Sequence, residues 1–285
     1  MTITSELSGV KVGDGHPVRV IGVINVSPES FYKNSIKISP DEIAGLAKKI
    51  EDEGADIIDI GAMSTAPYLK TEISVEEEIR RLSMAIKIVK ETVSLPISVD
   101  TTRSESAEEA VKAGADIVND VYGLKGDGNM ASVVAEYDVS LIIAAHAKVQ
   151  SELNPIQRVT MMLQESLDLA REAEISDNKI LIDPAIGFIR KTKWPWHVWD
   201  CYILKNLEYL RRLGRPVCVA VSRKSFIGRI LNLENPEDRL FGSLSATAIA
   251  VYNNAHVIRT HDVSATLQTI RLTEFIKRTS STIED

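Results

Sequence analysis

Apolar runs alternate with amphipathic helical segments along almost the whole chain. Several runs are continuous stretches of apolar residues, which is typical of strands buried on both faces of a parallel sheet. Eight runs have the length of a short strand: Val18–Ile24, Asp56–Ile60, Pro96–Val99, Ala115–Val118, Val139–Ala144, Lys179–Ile182, Pro216–Val221 and Ala255–Ile258. Strands that alternate with helices predict a parallel sheet covered by helices.

The segments between the runs carry recognisable helix starts. Two capping boxes, each a serine followed by a glutamate three residues later, occur at Ser39 with Glu42 and at Ser74 with Glu77. A third helix is predicted to begin at Asn235, which precedes a proline. The acidic run 76–78 is predicted to be a solvated first turn that compensates the helix dipole.

Eight strand-then-helix units favour an α/β fold of the (β/α)8 TIM-barrel type over an open doubly wound sheet. The glycines of residues 9–15 do not make a dinucleotide site, because they precede the first predicted strand and the phosphate-binding loop must follow it. A chain of 285 residues with 44% hydrophobic residues can bury one large core. No linker divides the sequence. We therefore predict a single (β/α)8 domain over residues 1–285.

Charge and cysteine usage narrow the class of protein. The formal net charge is -7 and no long basic stretch interrupts it, which argues against a nucleic-acid partner. The sequence has no run of about 18 apolar residues, so no membrane span is expected. Cys201 and Cys218 have neither metal-binding nor redox spacing. A cytoplasmic protein with reduced thiols is the expectation.

Polar side chains follow every predicted strand. In a barrel the carboxyl ends of the strands open on one face, where active sites are built. The residues at or just past the strand ends are Asn25, Asp59, Asp100, Asn119, Asp120, His146, Asp183, Arg223, Lys224, Arg259 and His261. Loop capping explains any one aspartate or asparagine, but it does not account for all eight ends. A polar pocket is expected at this face.

These residue types suit the recognition of a heterocycle and an anion. Three offer acceptors for a flat heterocycle with amino and ring N–H groups: Asp100, Asn119 and Asp183. Three offer donors for carbonyl or phosphate oxygens: Lys224, Arg259 and His261. Ser225 lies near a predicted helix N-terminus, where unsatisfied N–H groups favour an anion. The combination suggests a group-transfer enzyme without defining the heterocycle.

Seven segments, in order along nearly the whole chain, resemble dihydropteroate synthase, the pterin-binding (β/α)8 enzyme family of folate biosynthesis. They are GVINVSPESF, GADIIDIGAMST, SVDT, AGADIVND, ILIDPAIGF, SRKSFIG and RTHDV. The resemblance implies condensation of 6-hydroxymethyl-7,8-dihydropterin diphosphate with an aryl amine, usually 4-aminobenzoate. The products are 7,8-dihydropteroate and pyrophosphate. It also implies a homodimer, which is the usual state of the family.

The resemblance assigns roles to individual residues. The pterin is expected to bind to Asp100, Asn119, Asp183, Lys224 and Arg259. Lys224, Arg259 and His261 carry over as the catalytic residues, the last two at the diphosphate. The aryl amine pocket corresponds to Phe31, Thr65, Pro67, Phe188 and Ser225. Asn25 corresponds to the ligand of the Mg2+ that accompanies the diphosphate.

The chain departs from the family pattern in its loops. Ala66 stands where the family has an arginine, and Ile189 with Arg190 replaces a Gly-Lys turn. The amine and diphosphate end is therefore expected to be rebuilt. Cations that can replace the arginine are Lys33, Lys70, Arg190 and Lys191. Three tryptophans follow this altered turn and are expected to pack on a neighbouring helix or subunit, with a lid over the substrate as the alternative: Trp194, Trp196 and Trp199.

Four other functions remain open at this point. A related transferase would use a phosphorylated aryl amine, as in methanopterin-type cofactors. A methyltetrahydrofolate-binding methyltransferase would transfer a methyl group to a corrinoid and form no pyrophosphate. A class I aldolase would use Lys224 as a Schiff base, with its pKa lowered by Arg223. A non-catalytic pterin-binding module would bind the diphosphate without releasing pyrophosphate.

Overall fold

The barrel strands and their helices follow one another as the hydrophobic pattern predicts. The computed structural model describes residues 2–27, 39–63, 73–146, 153–190 and 192–279. The strands within these ranges are β1 Thr4–Leu7, β2 Val10–Gly13, β3 Arg19–Asn25, β4 Ile57–Gly61, β5 Ile97–Asp100, β6 Ile117–Asp120, β7 Ser140–Ala144, β8 Ile180–Asp183, β9 Cys218–Ala220 and β10 Val257–Thr260. The helices are α1 Pro40–Asp52, α2 Val75–Thr92, α3 Ser104–Ala113, α4 Met130–Glu136, α5 Pro155–Glu172, α6 Trp196–Lys205, α7 Ser225–Leu231, α8 Leu240–Tyr252 and α9 Val263–Thr279.

Strands β3 to β10 form one parallel sheet that curls into a barrel. The strand order is β8-β7-β6-β5-β4-β3-β10-β9. A parallel bridge between Ile182 and Val217 joins the two outer strands, and the Ile182 N–H donates to the carbonyl of Pro216 at 3.0 Å. The predicted (β/α)8 class is therefore confirmed. All eight predicted strands are present, although β9 is shorter than its apolar run.

The barrel interior changes from apolar to polar along the strands. Alternate residues of a strand point to opposite faces, so every second residue enters the barrel. The lower layer is a buried apolar cluster that contains Ile21, Ile57, Ile117, Ile142, Leu181, Cys218 and Val257. Two residues further along the strands come Val23, Asp59, Asn119, Ala144, Asp183, Ala220 and Arg259. This two-residue step delivers carboxylates, an amide and a guanidinium to the carboxyl ends of the strands.

An antiparallel hairpin closes the opposite end of the barrel. Strands β1 and β2 pair with each other, and Leu7 and Val12 are fully buried against the lower layer of the barrel. The turn between them has Ser8 at φ 45° and Gly9 at φ 86°, as in a two-residue hairpin turn with both central residues left-handed. The sequence analysis did not predict this hairpin. Its signal is the Ser-Gly turn between two alternating apolar patterns.

Polar contacts hold the hairpin on the barrel. The Asp14 carboxylate accepts two hydrogen bonds from Arg211, each 2.8 Å, and one from the backbone N–H of Ile3. Arg211 holds the pKa of Asp14 well below its ordinary value. Ser5 Oγ donates to the carbonyl of Ile180 at 3.0 Å, inside the protein. Arg211 and Ile180 lie in the distant second half of the chain.

The helix starts are confirmed in two places and corrected in others. Ser39 forms a complete capping box with Glu42 at the start of α1, and Ser74 caps α2. The chain after Asn235 first forms a 3-10 turn, and α8 begins only at Leu240. The expectation of a solvated acidic turn is wrong for Glu78, which is 1% exposed.

Glu78 is buried because it binds two groups next to the barrel mouth. Its carboxylate accepts a hydrogen bond from Thr101 Oγ1 at 2.6 Å and one from Arg103 Nη1 at 2.9 Å. A buried carboxylate needs such partners to offset the loss of water. Thr101 follows Asp100 directly and Arg103 comes two residues later, so Glu78 fixes the chain at the end of β5.

Candidate active site

The centre of the candidate site is a half-buried arginine held between two buried carboxylates. Arg259, on β10, donates from Nε to Asp59 Oδ2 at 2.7 Å and from Nη2 to Asp100 Oδ2 at 2.9 Å. The side chains of Asp59 and Asp100 are 1% and 9% exposed, against 18% for Arg259. The two carboxylates keep the pKa of Arg259 above its ordinary value although burial opposes the charge. Arg259 is therefore a permanent cation that bridges β4, β5 and β10.

Asp59 is a site residue that the sequence analysis left without a role. It is fully buried on β4, and its second oxygen Oδ1 has no hydrogen-bond partner among the described residues. Asp100 Oδ1 is in the same condition. The signal for Asp59 was available, since a carboxylate in the middle of an apolar strand needs a buried partner. The partner, 200 residues away, is not readable from sequence.

Asp183 and Lys224 form the other half of the polar layer. Asp183 Oδ1 accepts from the Ala185 N–H at 2.7 Å, just after β8. Burial raises the pKa of Asp183, and this hydrogen bond and the charges of Lys224 and Arg259 oppose the rise. Burial likewise raises the pKa of Asp100 to about 7, against Arg259 and with Asp59. Both carboxyl groups thus lose hydrogen bonds to water. A ligand that donates N–H groups would replace those hydrogen bonds.

The pKa of Lys224 is lowered to about 8. Burial is the main cause; Asp183 opposes the shift and Arg259 adds to it. Arg223, which the aldolase hypothesis invoked, instead forms a buried pair with Asp262 through contacts of 2.9 and 2.7 Å. It also donates to the carbonyls of Pro236 and Glu237. Arg223 therefore fixes the loop before Lys224.

His261 enters the site as a neutral donor and acceptor. Burial, followed by the charges of Arg259, Arg223 and Lys224, lowers its pKa to about 3. Ser222 Oγ lies 3.0 Å from His261 Nδ1 and also accepts from the His261 backbone N–H at 3.3 Å. A hydroxyl that accepts from the backbone can donate its own proton to Nδ1, which leaves the Nε2 N–H as the donor of the ring. A neutral imidazole suits a hydrogen bond to phosphate, but it supplies no charge.

The loop after β8 brings Phe188 against Lys224. The ring centroid of Phe188 lies 4.3 Å from Lys224 Nζ. Gly187 has φ 88°, and a Cβ there would meet Lys224 Cδ at 3.1 Å, so the turn requires glycine. The Gly187 N–H donates to Asp200 Oδ1 at 2.9 Å. Burial raises the pKa of Asp200 to about 6, against this hydrogen bond.

The remaining predicted site residues divide into described and undescribed ones. Asn25 ends β3, and its side chain lies close to Gly61 and Asp100. A Cβ atom added to Gly61 would be in contact with both neighbours, at 3.4 Å from Asn25 Oδ1 and 3.7 Å from Asp100 Cβ. Asn119, on β6 beside Asp100, is 5% exposed. Ser225 is partly buried at the start of α7. The predicted residues that lie outside the described ranges are Phe31, Thr65 and Pro67, together with Ala66, Lys33, Lys70 and Lys191.

The tryptophans after the loop divide between core and site. Trp199 is 1% exposed and packs in the core, which confirms the packing interpretation for this residue. Trp194 lies with its ring centroid 6.2 Å from that of Tyr202. Trp196 is partly buried and carries the guanidinium of Arg190 over its ring, at 4.1 Å from the centroid. One of the three therefore lies beside the site.

A (β/α)8 barrel whose mouth combines buried carboxylates, an amide and half-buried cations defines an enzyme that binds a heterocycle and an anion. The profile of the family described as "Pterin binding enzyme" matches residues 21–261. A dihydropteroate synthase of Clostridium beijerinckii is 35% identical over 265 residues, which are 93% of this chain and 96% of that protein. The chain belongs to the dihydropteroate synthase family of pterin-binding enzymes. The predicted family and transferase function are thereby confirmed.

Solved structures agree with this membership. The dihydropteroate synthase of Coxiella burnetii in complex with pteroic acid is 34% identical, with a TM-score of 0.85 and coverage of 97% of this chain and 99% of that one. The enzyme of Xanthomonas albilineans in complex with 7,8-dihydropteroate is 30% identical, with a TM-score of 0.82 and coverage of 96% and 98%. No helix in the described part of this chain is long and apolar enough to cross a membrane.

Proposed function

We propose that this chain condenses 6-hydroxymethyl-7,8-dihydropterin diphosphate with 4-aminobenzoate, giving 7,8-dihydropteroate and pyrophosphate. The observation that carries the proposal is the ring of buried and half-buried polar groups at the barrel mouth: Asp59, Asp100 and Asn119, which are buried, and Asp183, Lys224 and Arg259, which are half-buried. The relatives that bind pteroic acid and dihydropteroate support it, since both molecules join a pterin to an aminobenzoate.

In this proposal the carboxylates recognise the pterin through hydrogen bonds. Asp183 and Asp100 accept hydrogen bonds from ring N–H and amino groups, and Asn119 both donates and accepts. Lys224 donates to the pterin as a compact ammonium whose position is fixed by Phe188 and by the charge of Asp183. Such hydrogen bonds are stronger in a buried pocket than in water. A lowered lysine pKa also suits a Schiff base, so borohydride trapping is needed to separate these two roles.

The diphosphate end of the pocket needs positive charge where the carbon–oxygen bond breaks. Arg259 contributes a fixed cation, and His261 a neutral N–H. Donors aimed at the leaving pyrophosphate stabilise the charge that develops in the transition state. The amine then attacks the methylene carbon of the pterin, and its proton is lost to solvent or to a nearby base.

We propose Asn25 as a Mg2+ ligand. Mg2+ keeps several waters and binds through one or two protein oxygens together with substrate phosphates, so a single amide oxygen fits. No group of three or more potential ligands from histidine, cysteine, aspartate and glutamate occurs in the described residues, which is compatible with a metal that arrives with the diphosphate. When bound, the ion would neutralise charge on the leaving group.

The proposed reaction is tested by pyrophosphate release from pterin diphosphate and Mg2+ with a panel of aryl amines. Turnover of 4-aminobenzoate is the expected result. Turnover of a phosphorylated aryl amine alone would make the chain a related transferase. Methyl transfer to a corrinoid without pyrophosphate would favour the methyltransferase. A reduced adduct at Lys224 after borohydride would favour the aldolase. Tight binding of the diphosphate without any release would leave a pterin-binding module.

We also propose a homodimer, formed through the exposed apolar surface of α8 and α9. This α8–α9 surface consists of Phe241, Ile249, Tyr252, Leu272, Phe275 and Ile276. Phe241 is 81% and Phe275 is 70% exposed. Large exposed apolar patches of this kind usually mark a protein–protein interface. The family resemblance also implies a homodimer.

The net charge and the two free cysteines are compatible with the proposed cytoplasmic location and with the absence of nucleic-acid partners.

The dimer is expected to separate when Phe241 and Phe275 are both replaced by glutamate. Two like charges in the centre of an apolar contact lose their hydration without gaining partners. Light scattering after gel filtration should give twice the 31.4 kDa of one chain for the wild type and one chain mass for the variant. Circular dichroism checks the fold. A wild type that elutes with the mass of one chain contradicts the proposal.

A further inference from the structure

Arg190, which replaces part of a Gly-Lys turn of the family, reaches across to the first residue of α7. Its Nη2 donates to Ser225 Oγ at 2.5 Å, and its guanidinium lies over the ring of Trp196 at 4.1 Å from the centroid. An aromatic face and a hydroxyl therefore orient the guanidinium from two sides. Arginine that is stacked in this way loses little further side-chain freedom when it binds an anion.

The loop that carries Arg190 is fastened to the barrel. Asp183 accepts from the Ala185 N–H at 2.7 Å, and Asp200, on α6, accepts from the Gly187 N–H at 2.9 Å. The next residue, Phe188, lies against Lys224. The loop before Arg190 is thus held at Asp183 and Asp200 and packs on Lys224, and Arg190 itself binds Ser225, so the position of Arg190 relative to the pterin side chains is defined.

Arg190 lies on the side of the mouth away from Asn25. The loops that carry Arg190 and Ser225 follow β8 and β9, whereas Asn25 and Asp100 end β3 and β5, which are not adjacent to either strand. Two aromatic rings lie near this loop: Trp196 stacks on the Arg190 guanidinium, and Phe188, two residues before Arg190, lies against Lys224. Such rings suit an aromatic ligand, and the guanidinium suits an anionic substituent on that ligand, because its planar N–H edge matches a carboxylate.

We propose that Arg190 binds the carboxylate of the aryl amine and selects amines that carry such a group. The inference rests on the proposed function and assigns a specificity-determining residue to it. In this role Arg190 acts together with Ser225, and Trp196 is a positioning residue that holds the guanidinium. The diphosphate is then held by other groups, and Arg190 does not replace the arginine that the family has at position 66.

The test compares two amines of the same shape, 4-aminobenzoate and 4-aminobenzamide, in the wild type and in Arg190→Gln. The KM for 4-aminobenzoate should rise about 10- to 100-fold in the variant, as expected for loss of a charge-assisted hydrogen bond. The KM values for 4-aminobenzamide and pterin diphosphate should stay within about twofold, because neither uses the charge. Arg190→Lys should recover part of the loss, since it keeps the charge but not the planar fork.

Arg171→Gln is the matched control, because this arginine is 62% exposed on α5 and should change neither KM. Equal losses with both amines would reduce Arg190 to a structural residue and overturn the inference, as would no change with 4-aminobenzoate. Calorimetry of both amines into protein loaded with 6-hydroxymethylpterin and pyrophosphate measures the same contact without chemistry. If no amine gives pyrophosphate, the proposed function fails. The inference still stands or falls on whether the variant binds 4-aminobenzoate more weakly and 4-aminobenzamide equally.

Discussion

Replacement of Arg259 by methionine is expected to lower the free energy of unfolding by about 3 kcal/mol at pH 7. Removal of one partner from a buried ion pair costs roughly 3–5 kcal/mol, because the remaining charge has lost both water and counter-ion. Here two carboxylates, Asp59 and Asp100, lose the same cation. The lower end of the range applies because the Arg259 side chain is 18% exposed and water can partly replace it. Urea unfolding followed by circular dichroism measures the difference.

The decrease in the free energy of unfolding caused by Arg259→Met should become larger as the pH rises. The pKa of Asp100 is about 7 in the fold and lies at an ordinary aspartate value in the unfolded chain. The folded state therefore holds a proton that the unfolded state has lost between these values, and the free energy of unfolding falls as the pH rises through them. Without Arg259 the pKa of Asp100 rises further, so the fall continues above pH 7. The deficit of the variant should be larger at pH 8 than at pH 6.

Two further variants separate charge from packing at Arg259. Adding Asp59→Asn and Asp100→Asn to Arg259→Met should recover part of the stability, because the orphaned carboxylates are gone. Arg80→Met serves as the control, since this arginine is 65% exposed, pairs with Glu77 of its own helix and should change stability by less than about 0.5 kcal/mol. A deficit that is the same at pH 6 and pH 8 would contradict the electrostatic explanation.

Asp183→Asn is expected to weaken the binding of 6-hydroxymethylpterin by about 10- to 100-fold. The amide oxygen of the variant can keep the hydrogen bond from the Ala185 N–H, which then turns the NH2 group toward the N–H of the pterin. A buried donor that faces another donor costs roughly 1–3 kcal/mol. Isothermal calorimetry measures the affinity directly. Asp100→Asn should weaken binding in the same direction.

The control for the pterin prediction is Asp168→Asn, on the outer surface of α5, where the carboxylate is 49% exposed. Its pterin affinity should equal that of the wild type. The melting temperature of each variant shows whether the fold is intact. Unchanged affinity in both Asp183→Asn and Asp100→Asn would mean that the heterocycle binds elsewhere in the molecule.

The hydrophobic pattern was sufficient for the barrel because each strand is a local feature. A short apolar run between two helical segments is enough to predict a buried strand, and the polar residue at the end of the run marks the mouth of the barrel. Ion pairs across the barrel are a different case. Sequence reasoning assigned Arg259 to the substrate, but two of its guanidinium nitrogens already donate to Asp59 and Asp100. Contacts between residues so far apart in the chain carry no local signal.

Two features did not follow from the local sequence pattern: the burial of Glu78 and the hairpin of β1 and β2. An acidic residue in a first helical turn is usually solvated, and only the position of α2 over Thr101 buries this one. The hairpin of β1 and β2 consists of the segments TSEL and VKVG, which lack the continuous apolar run by which the barrel strands were found. The role of Arg190 was also open, because several cations near the altered loops fitted the missing arginine equally well. Its contact with Ser225 depends on the fold of two separate loops.

The hairpin at the base of the barrel has a consequence for how the chain folds. Its residues are synthesised before the barrel, and their partners come much later: Ser5 binds a carbonyl 175 residues away, and Asp14 binds an arginine 197 residues away. Closure of such long loops makes folding slow. Leu7 and Val12 pack in a cluster that also contains Val257 of β10, so this cluster is complete only after the last barrel strand has been synthesised. Until then these two side chains lack their native partners, which favours contact with chaperones or aggregation.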